Sequence, residues 1–318
     1  MADGTLAEDG EFAVIDRLVA GRRQPESVVV GPGDDAAVLA GTSATAVSTD
    51  ILVEGRHFRL DWSTPFDVGR KAIAQNASDI EAMGGRATAF VVGFGAPGDT
   101  ETAQAVALAD GLWDEAVRLG AAIVGGDMVA APQWVVSVTV LGDLDGRPPV
   151  LRGGARPGDV VAVTGELGWS GAGYALWRNS IAGFEALRRR HLVPAPPYGQ
   201  GAVAARGGAT AMTDVSDGLL ADLGHVAAAS GVHVDLSLEL LRADLDALGP
   251  AGDAAGVDAR DWVLGGGEDH ALVATFPAEP PVGWRLIGRV LHPTPDFGAG
   301  AVTLDHAAWA GSAGWQSY

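Results

Sequence analysis

The chain has 318 residues, of which 47% are hydrophobic and 19% charged, a balance typical of a globular protein and not of a disordered one. Its formal net charge of −19 argues against nucleic-acid binding, which needs a basic surface. The absence of cysteine excludes disulfides, cysteine-based zinc sites and thiol nucleophiles.

Residues 1–10 are acidic and lack the basic and apolar regions of a signal peptide, so we expect a flexible tail on a cytoplasmic protein. The longest apolar runs, 88–94 and 134–141, have the length of strands and are too short to cross a bilayer. The remaining length predicts two domains of roughly 150 residues each.

The first domain, residues 11–150, alternates strands with helices. Thr64 and Pro65 supply an N-cap and a first-turn proline for a helix that runs to about Met83, and Gly84 and Gly85 end it. The other predicted elements of this half are strands at 28–30, 44–48, 88–94, 121–124 and 134–141 and a helix at about 102–119.

Turn-rich segments at 147–158 mark the start of the second domain, residues 151–318. We predict strands at 159–163, 211–214, 232–236, 271–276 and 284–290, and helices after the glycines of 165–173, around 188–191, at 217–230 and from about 238. Strands that alternate with helices in both halves predict an α/β or α+β architecture.

Seven aspartates stand beside Gly, Ser, Thr or Asn near the ends of predicted elements. They are Asp34, Asp35, Asp50, Asp79, Asp127, Asp214 and Asp217. Carboxylates gathered in one cleft repel each other unless something neutralises them. A hard divalent cation with oxygen ligands does so, and protein-bound Mg²⁺ commonly serves a nucleotide phosphate.

Any one of these aspartates has a simpler explanation, because Asp caps helices and stabilises turns; Asp217, directly before a helix, is the clearest case.

The usual nucleotide-binding motifs are missing from the sequence. The only lysine is Lys71, so there is no phosphate-binding loop of the Gly-x-x-x-x-Gly-Lys kind. The glycines from Gly165 to Gly173 do not have Rossmann spacing, and a tight turn against a helix explains them better.

Four further residues are candidates with open alternatives. His57 is either a hydrogen-bonded surface histidine or a ligand-binding one. Three glycines precede Glu268 and predict a loop that something approaches closely. Arg152 either clamps a phosphate or lies on the surface, and Trp315 is either a tail aromatic or a lid that stacks on a ring.

Several motifs together resemble the thiamine-monophosphate kinase family, within the wider superfamily of aminoimidazole ribonucleotide synthetase. They occur in that family's order: Gly-Glu-Phe-x-x-Ile at 10–15, Gly-Asp-Asp-Ala-Ala-Val at 33–38, Ser-Thr-Asp-x-Leu-Val-Glu-Gly-x-His-Phe at 48–58, Asn-x-Ser-Asp-Ile-x-Ala-Met-Gly at 76–84, Gly-Gly-Asp at 125–127, Asp-Val-Ser-Asp-Gly-Leu at 214–219 and Gly-Gly-Glu-Asp at 266–269. The resemblance implies an N-terminal α/β domain that pairs with its twin in a homodimer and a C-terminal α/β domain that completes the active site.

The resemblance also implies roles for individual residues. Several Mg²⁺ ions would be held by Asp35, Ser48, Thr49, Asp50, Asp79, Asp127, Asp214 and Asp217. ATP would contact Gly126, Asp127, Arg152 and Ser216, and thiamine monophosphate would contact His57, Glu268 and Trp315. Asp34 would support the ligands without being one.

The implied reaction is direct in-line transfer of the ATP γ-phosphoryl group to thiamine monophosphate, giving thiamine diphosphate and ADP. The acceptor oxygen is already ionised at neutral pH, so metal-assisted positioning suffices without a general base. The motifs contain no Ser-His-Asp or His-Asp pair, which agrees with this expectation.

Two rival functions remain open. Aminoimidazole ribonucleotide synthetase shares several of the acidic motifs, whereas selenophosphate synthetase and the hydrogenase-maturation dehydratase call for a cysteine that this chain lacks. A non-enzymatic module that binds divalent cations or nucleotides is the other. Turnover of ATP that depends on thiamine monophosphate separates the kinase from both.

Overall fold

The computed structural model describes residues 28–30, 34, 37–39 and 44–314. Within these residues the chain forms two six-stranded sheets, the first from residues before 144 and the second from residues after 159. The predicted tail at 1–10 lies outside the described residues. In the part that the structure describes, no helix combines the length and the hydropathy that crossing a bilayer requires.

The first sheet has the spatial order β1-β2-β3-β6-β4-β5. Its strands are β1 (Val28–Val30), β2 (Ala37–Leu39), β3 (Thr45–Val53), β4 (Arg86–Ala96), β5 (Ala122–Ala130) and β6 (Val135–Asp143). Strand β3 pairs antiparallel with β6, and β5 pairs parallel with β4 at the edge of the sheet.

Among the described residues of this half, the chain forms two helices, α1 (Pro65–Ala82) and α2 (Thr102–Arg118). The predicted start of α1 is confirmed: Thr64 is the N-cap and forms a capping box with Asp67. Val68 and Ile80 of α1 are fully buried in a core cluster with side chains of the sheet. This burial turns the opposite side of α1 toward the second half of the chain.

The second sheet has the order β12-β9-β11-β7-β10-β8. Its strands are β7 (Val160–Thr164), β8 (Ala211–Val215), β9 (His233–Leu236), β10 (Ala271–Phe276), β11 (Arg285–Leu291) and β12 (Val302–Leu304). The helices of this half are α3 (Trp169–Arg178), α4 (Glu185–Leu192), α5 (Gln200–Arg206), α6 (Leu219–Ser230), α7 (Arg242–Ala255) and α8 (Ala259–Gly265). This mixed architecture confirms the predicted fold class.

Some element predictions were wrong in extent. The strand predicted at 121–124 continues to Ala130, so the Gly-Gly-Asp motif lies inside a strand and not after it. Glycine is unfavourable inside strands, so its presence argued against a strand at this point. Here Gly126 is accommodated because it packs closely against the backbone of β4, where a side chain would not fit. The helix predicted from about 238 begins at Arg242, and α5, α8, β2 and β12 are too short to give a clear periodicity.

The two halves meet along α1. Glu81 accepts hydrogen bonds from the backbone N–H groups of Gly199 (2.8 Å) and Gly201 (2.9 Å). Burial raises the pKa of Glu81 to about 7, against these two hydrogen bonds, which lower it. Further toward its N-terminus, α1 contacts the functional residues described next.

Candidate active site

The first group of site residues lies between β3 and the C-terminal turns of α1. Ser48 donates a 2.6 Å hydrogen bond to Oδ2 of Asp79. The N–H of Asp50 donates to Oδ1 of Asn76 (3.1 Å), and Nε2 of Gln75 donates to Oδ2 of Asp50 (3.1 Å). The strand predicted at 44–48 continues to Val53, so Asp50 lies inside β3 and not near its end.

The environment of Asp50 disfavours its ionised form. Burial raises the pKa of Asp50 above its usual value; the hydrogen bond from Gln75 and the charge of His270 oppose this, and the nearby Asp214 carboxylate adds to the rise. A cation bound beside Asp50 would reverse the balance, because opposite charge favours the carboxylate.

Strand alternation separates Thr49 from this group. Ser48 and Asp50 face α1, so Thr49 points to the other face of the sheet. The Thr49 hydroxyl donates to the carbonyl of Val138 (2.9 Å) and accepts from the hydroxyl of Thr139 (3.1 Å). The structure does not bring the Thr49 side chain to the aspartates.

A second group, from the other half of the chain, meets α1 at Ser78. The Ser78 hydroxyl lies 2.6 Å from Oδ2 of Asp214 and 3.0 Å from Nδ1 of His270, which is itself 3.0 Å from the same Asp214 oxygen. All three residues are buried. The sequence motifs contain no His-Asp pair, but the fold forms one from residues that are far apart in the sequence.

Ion pairing stabilises the charged forms of both partners. Burial acts to raise the pKa of Asp214, but the hydrogen bond and charge of His270 outweigh it and leave that pKa below its usual value. Burial acts to lower the pKa of His270, but the Asp214 carboxylate outweighs it and leaves that pKa above its usual value. The contact with Asp214 thus favours the protonated form of His270.

Asp217 follows in the loop before α6. The interpretation of Asp217 as a helix cap was wrong, because Gly218 occupies the N-cap position and no side chain caps the helix. Asp222 instead accepts hydrogen bonds from the N–H groups of Asp217 (3.1 Å) and Gly218 (3.0 Å). Burial, followed by the charges of Asp214 and Asp217, raises the pKa of Asp222 well above its usual value. Asp217 is thus one of a set of adjacent carboxyl groups.

Gly126 and Asp127 lie on the edge strand β5, three strands from β3. At the usual strand spacing this separates them from Asp50 by about 14 Å. Across the sheet, Gly126 is aligned with Asp50 through the paired residues of β6 and β4, so the two positions face the same side of the sheet. A Cβ atom at Gly126 would lie 2.1 Å from the carbonyl oxygen of Val92. Asp127 falls in the next row, whose side chains face away from α1, and accepts a hydrogen bond from the N–H of Met128. The structure does not bring Asp127 to Asp50.

Two of the three predicted acceptor-binding residues, His57 and Glu268, share one partner, Lys71 of α1. The Lys71 ammonium group lies 2.8 Å from the carbonyl oxygen of His57 and 2.8 Å from Oε1 of Glu268. Nδ1 of His57 accepts from the N–H of Val53 (2.9 Å), so the proton of the neutral ring is on Nε2. Sequence reasoning missed Lys71 as a site residue, although its being the only lysine of the sequence was a signal.

Electrostatics keep Glu268 ionised. Burial acts to raise the pKa of Glu268, but the positive charge of Lys71 outweighs it and leaves that pKa below its usual value. The three preceding glycines are needed for the chain's own packing: a side chain at Gly267 would meet the carbonyl oxygen of Ser216 at 2.7 Å. The expected close approach is therefore made by the protein's own backbone.

Asp34 and Arg152 connect the halves at another point, where the N–H of Arg152 donates to Oδ2 of Asp34 (3.2 Å). This bond agrees with a supporting role for Asp34. Asp35 and Trp315 lie outside the described residues.

Within the described ranges, no three Asp, Glu or His side chains converge closely enough to form a ready metal site. The donor chemistry nevertheless fits Mg²⁺: Ser48, Asp50, Asp79 and Asp214 offer hard oxygen atoms, and Asp50 is held where an added cation would stabilise its charge. Mg²⁺ usually keeps several waters and takes other ligands from substrate phosphates, so a complete protein cage is not required.

Comparison with known proteins places this arrangement in a family. Residues 33–144 match the model of the AIR synthase related protein N-terminal domain, and residues 156–272 match that of the C-terminal domain. The chain is 67% identical over 315 residues to the thiamine-monophosphate kinase of Mycobacterium tuberculosis (99% of this chain, 93% of the relative). It is 41% identical over 328 residues to that of Corynebacterium glutamicum (100% and 96%). A solved structure of AaThiL complexed with AMPPCP and TMP superposes with a TM-score of 0.88 at 30% identity, covering all of both chains.

Proposed function

Since the chain belongs to the thiamine-monophosphate kinase family, we propose that it transfers the γ-phosphoryl group of ATP to thiamine monophosphate, giving thiamine diphosphate and ADP. The observation that carries the proposal is the closeness of Asp50, in the first half, to Asp214 in the second half, where the buried Ser78 of α1 donates a hydrogen bond to Asp214. Two anionic substrates need such a site to be bridged by cations.

Mg²⁺ ions held by these carboxylates would neutralise the phosphates and stabilise charge on the transferring group. The proposed ligands are Asp35, Ser48, Thr49, Asp50, Asp79, Asp127, Asp214 and Asp217. Thr49 joins them only through its main chain, because its hydroxyl is bonded on the other face of the sheet. Asp127, three strands away from Asp50, is proposed for an ion on the nucleotide side.

The proposed ATP contacts are Gly126, Asp127, Arg152 and Ser216. The missing side chain of Gly126 keeps β5 close to β4 and leaves the backbone open to a ligand. Ser216 precedes Asp217, and its carbonyl oxygen accepts the N–H of Glu268 (2.7 Å), which couples the nucleotide loop to the acceptor loop.

His57, Glu268 and Trp315 are proposed to bind thiamine monophosphate. Glu268 presents an ionised carboxylate, one-third exposed, that suits a cationic or N–H-bearing ring. His57 carries its ring proton on Nε2 and can donate it to a phosphate oxygen.

No residue is proposed as a general base. The acceptor phosphate is ionised at neutral pH, and Nδ1 of His270 is occupied by Asp214 and Ser78. The chain's own residues bind, orient and neutralise the substrates.

The proposal includes a domain division and an assembly. Residues 11–150 would bind ATP and Mg²⁺ and dimerise, and residues 151–318 would complete the site. Support for a homodimer comes from the outer face of the first sheet, where Ile51, Val91 and Val129 are exposed. We also place the enzyme in the cytoplasm, where ATP is available.

A coupled assay of ADP release tests the function. We expect turnover with ATP, Mg²⁺ and thiamine monophosphate together and none when the acceptor is omitted. ADP release that is indifferent to thiamine monophosphate, or Mg-ATP binding without turnover for any thiamine acceptor, would instead favour the synthetase or the binding module.

A further inference from the structure

Lys71, the only lysine of the sequence, is buried at the junction of the two halves. Its side chain is 2% exposed, and its ammonium group lies 2.8 Å from the His57 carbonyl, 2.8 Å from Oε1 of Glu268 and 3.5 Å from the carbonyl of His191. An ammonium group has three N–H donors, and each has an acceptor here. A buried charge is tolerated only with such pairing.

The partners of Lys71 come from three separate segments. His57 follows β3 in the first half, His191 ends α4, and Glu268 precedes β10 in the second half. Arg70, the neighbouring residue on α1, pairs instead with Glu115 (2.7 Å) and Asp114 (3.3 Å) of α2, inside its own half. Lys71 is thus the cation of this helix that connects the proposed acceptor-binding residues His57 and Glu268.

The backbone conformation of Glu268 is unfavourable and must be stabilised by contacts with other residues. Its φ of 65° lies in the left-handed region, which non-glycine residues seldom adopt. Its N–H donates to the carbonyl of Ser216, one carboxylate oxygen is bound by Lys71, and the other faces Nδ1 of His191 at 3.6 Å. Burial, with the charge of Lys71, lowers the pKa of His191 to about 4, so that ring is neutral and Lys71 supplies the positive charge.

We propose that Lys71 is a positioning residue of the acceptor site: its ammonium group fixes the main chain at His57 and the carboxylate of Glu268 in one arrangement across the junction. The proposal rests on the proposed function, in which these two residues bind thiamine monophosphate. Lys71 itself does not touch the substrate. Its effect on catalysis is transmitted through the orientation of Glu268.

Three variants test this inference: Lys71→Met, Glu268→Gln and the double variant. Lys71→Met should raise the KM for thiamine monophosphate at least about tenfold, the ratio that loss of one charge-assisted hydrogen bond produces, with the KM for ATP nearly unchanged. The double variant keeps the experiment informative if Lys71→Met folds poorly, because it removes both charges and leaves neither unpaired.

The test is whether the effects of the two substitutions on the acceptor KM are independent of each other. If Lys71 acts by holding Glu268, the double variant should have the same acceptor KM as Glu268→Gln within about threefold. Multiplied KM effects in the double variant, or equal increases in the KM for ATP and for the acceptor, would overturn the proposal. Arg70→Met is the matched control, since it deletes a mostly buried cation of the same helix and should lower the melting temperature without changing the acceptor KM.

Urea unfolding of the same proteins separates this inference from the proposed function. The four proteins form a double-mutant cycle, and a favourable Lys71–Glu268 coupling is expected whatever the substrate is. If the unfolding free energies show no Lys71–Glu268 coupling, Lys71 does not stabilise the position of Glu268 and the inference is rejected. A wild-type protein that ignores thiamine monophosphate but shows the coupling would reject only the proposed function.

Discussion

The hydroxyl of Ser78 on α1 lies 2.6 Å from Oδ2 of Asp214 on β8, and this buried hydrogen bond joins the two halves of the chain at the candidate site. The same Asp214 oxygen also lies 3.0 Å from His270. The orientation of Asp214 therefore depends on contacts from both halves, and a change in either one should affect activity as well as stability.

Ser78→Ala should destabilise the protein by about 1–2 kcal/mol, because Asp214 loses a hydrogen-bond donor while it stays buried. Activity should also fall, because Asp214 is no longer oriented by the Ser78 hydroxyl. Urea unfolding together with kcat measures both effects. An unaltered stability in Ser78→Ala would show that the bond between the halves contributes nothing.

Asp50→Asn should abolish most Mg²⁺-dependent activity, by about a hundredfold or more, and leave the fold intact. Without metal its melting temperature should equal or exceed that of the wild type, since burial already raises the pKa of Asp50 and disfavours its charge. Thermal unfolding with and without Mg²⁺ checks this. Asp61→Asn, in an exposed pair with Arg59, is the control. A melting temperature that collapses only in metal-free Asp50→Asn would instead indicate a structural role.

Asp269 should give the protein a pH-dependent stability. Burial raises the pKa of Asp269 to about 7, although the N–H groups of Ser170 and Gly168 lower it. Because the folded-state pKa is raised, the stability from the bound proton is fully present below the unfolded value near 3.8 and is lost as the pH rises through 7.

Asp269→Asn cannot release that proton. The melting temperature of the wild type relative to this variant should therefore fall between pH 4 and 8, most steeply at about pH 5–7. Parallel thermal unfolding of the two proteins across that range makes the comparison. A difference that stays constant, or that grows with pH, would contradict the raised pKa.

Trp315→Ala should raise the KM for thiamine monophosphate more than the KM for ATP, if the indole stacks on the aromatic part of the acceptor. Initial-rate kinetics with each substrate varied in turn provide the readout. Trp309→Ala, at another tryptophan of the C-terminal segment, is the comparison. An unchanged acceptor KM would remove Trp315 from the site.

The sequence predicted those parts of the site that depend on local patterns. The start of α1 at Thr64 and the shared face of Asn76 and Asp79 follow from capping and from helical periodicity. Strand alternation, applied to β3, would also have separated Thr49 from Asp50.

The remaining features depend on tertiary contacts that no local pattern encodes. The Lys71–Glu268 pair forms only when α1 packs against the second half, and the Asp214–His270 pair forms only when β8 pairs with β10. The two glycines before Asp127 suggested a turn, whereas close packing of Gly126 on Val92 keeps them in a strand. The charge states of these residues likewise depend on burial and on neighbouring charges.

Direct transfer to the acceptor is the central claim, and ATP made chiral at its γ-phosphorus tests it in one measurement. The labelled phosphoryl group is followed into thiamine diphosphate, and its configuration there is determined. We predict that the label enters thiamine diphosphate with inverted configuration, as a single in-line displacement requires. Retained configuration, or label released as inorganic phosphate without labelled thiamine diphosphate, would contradict the claim.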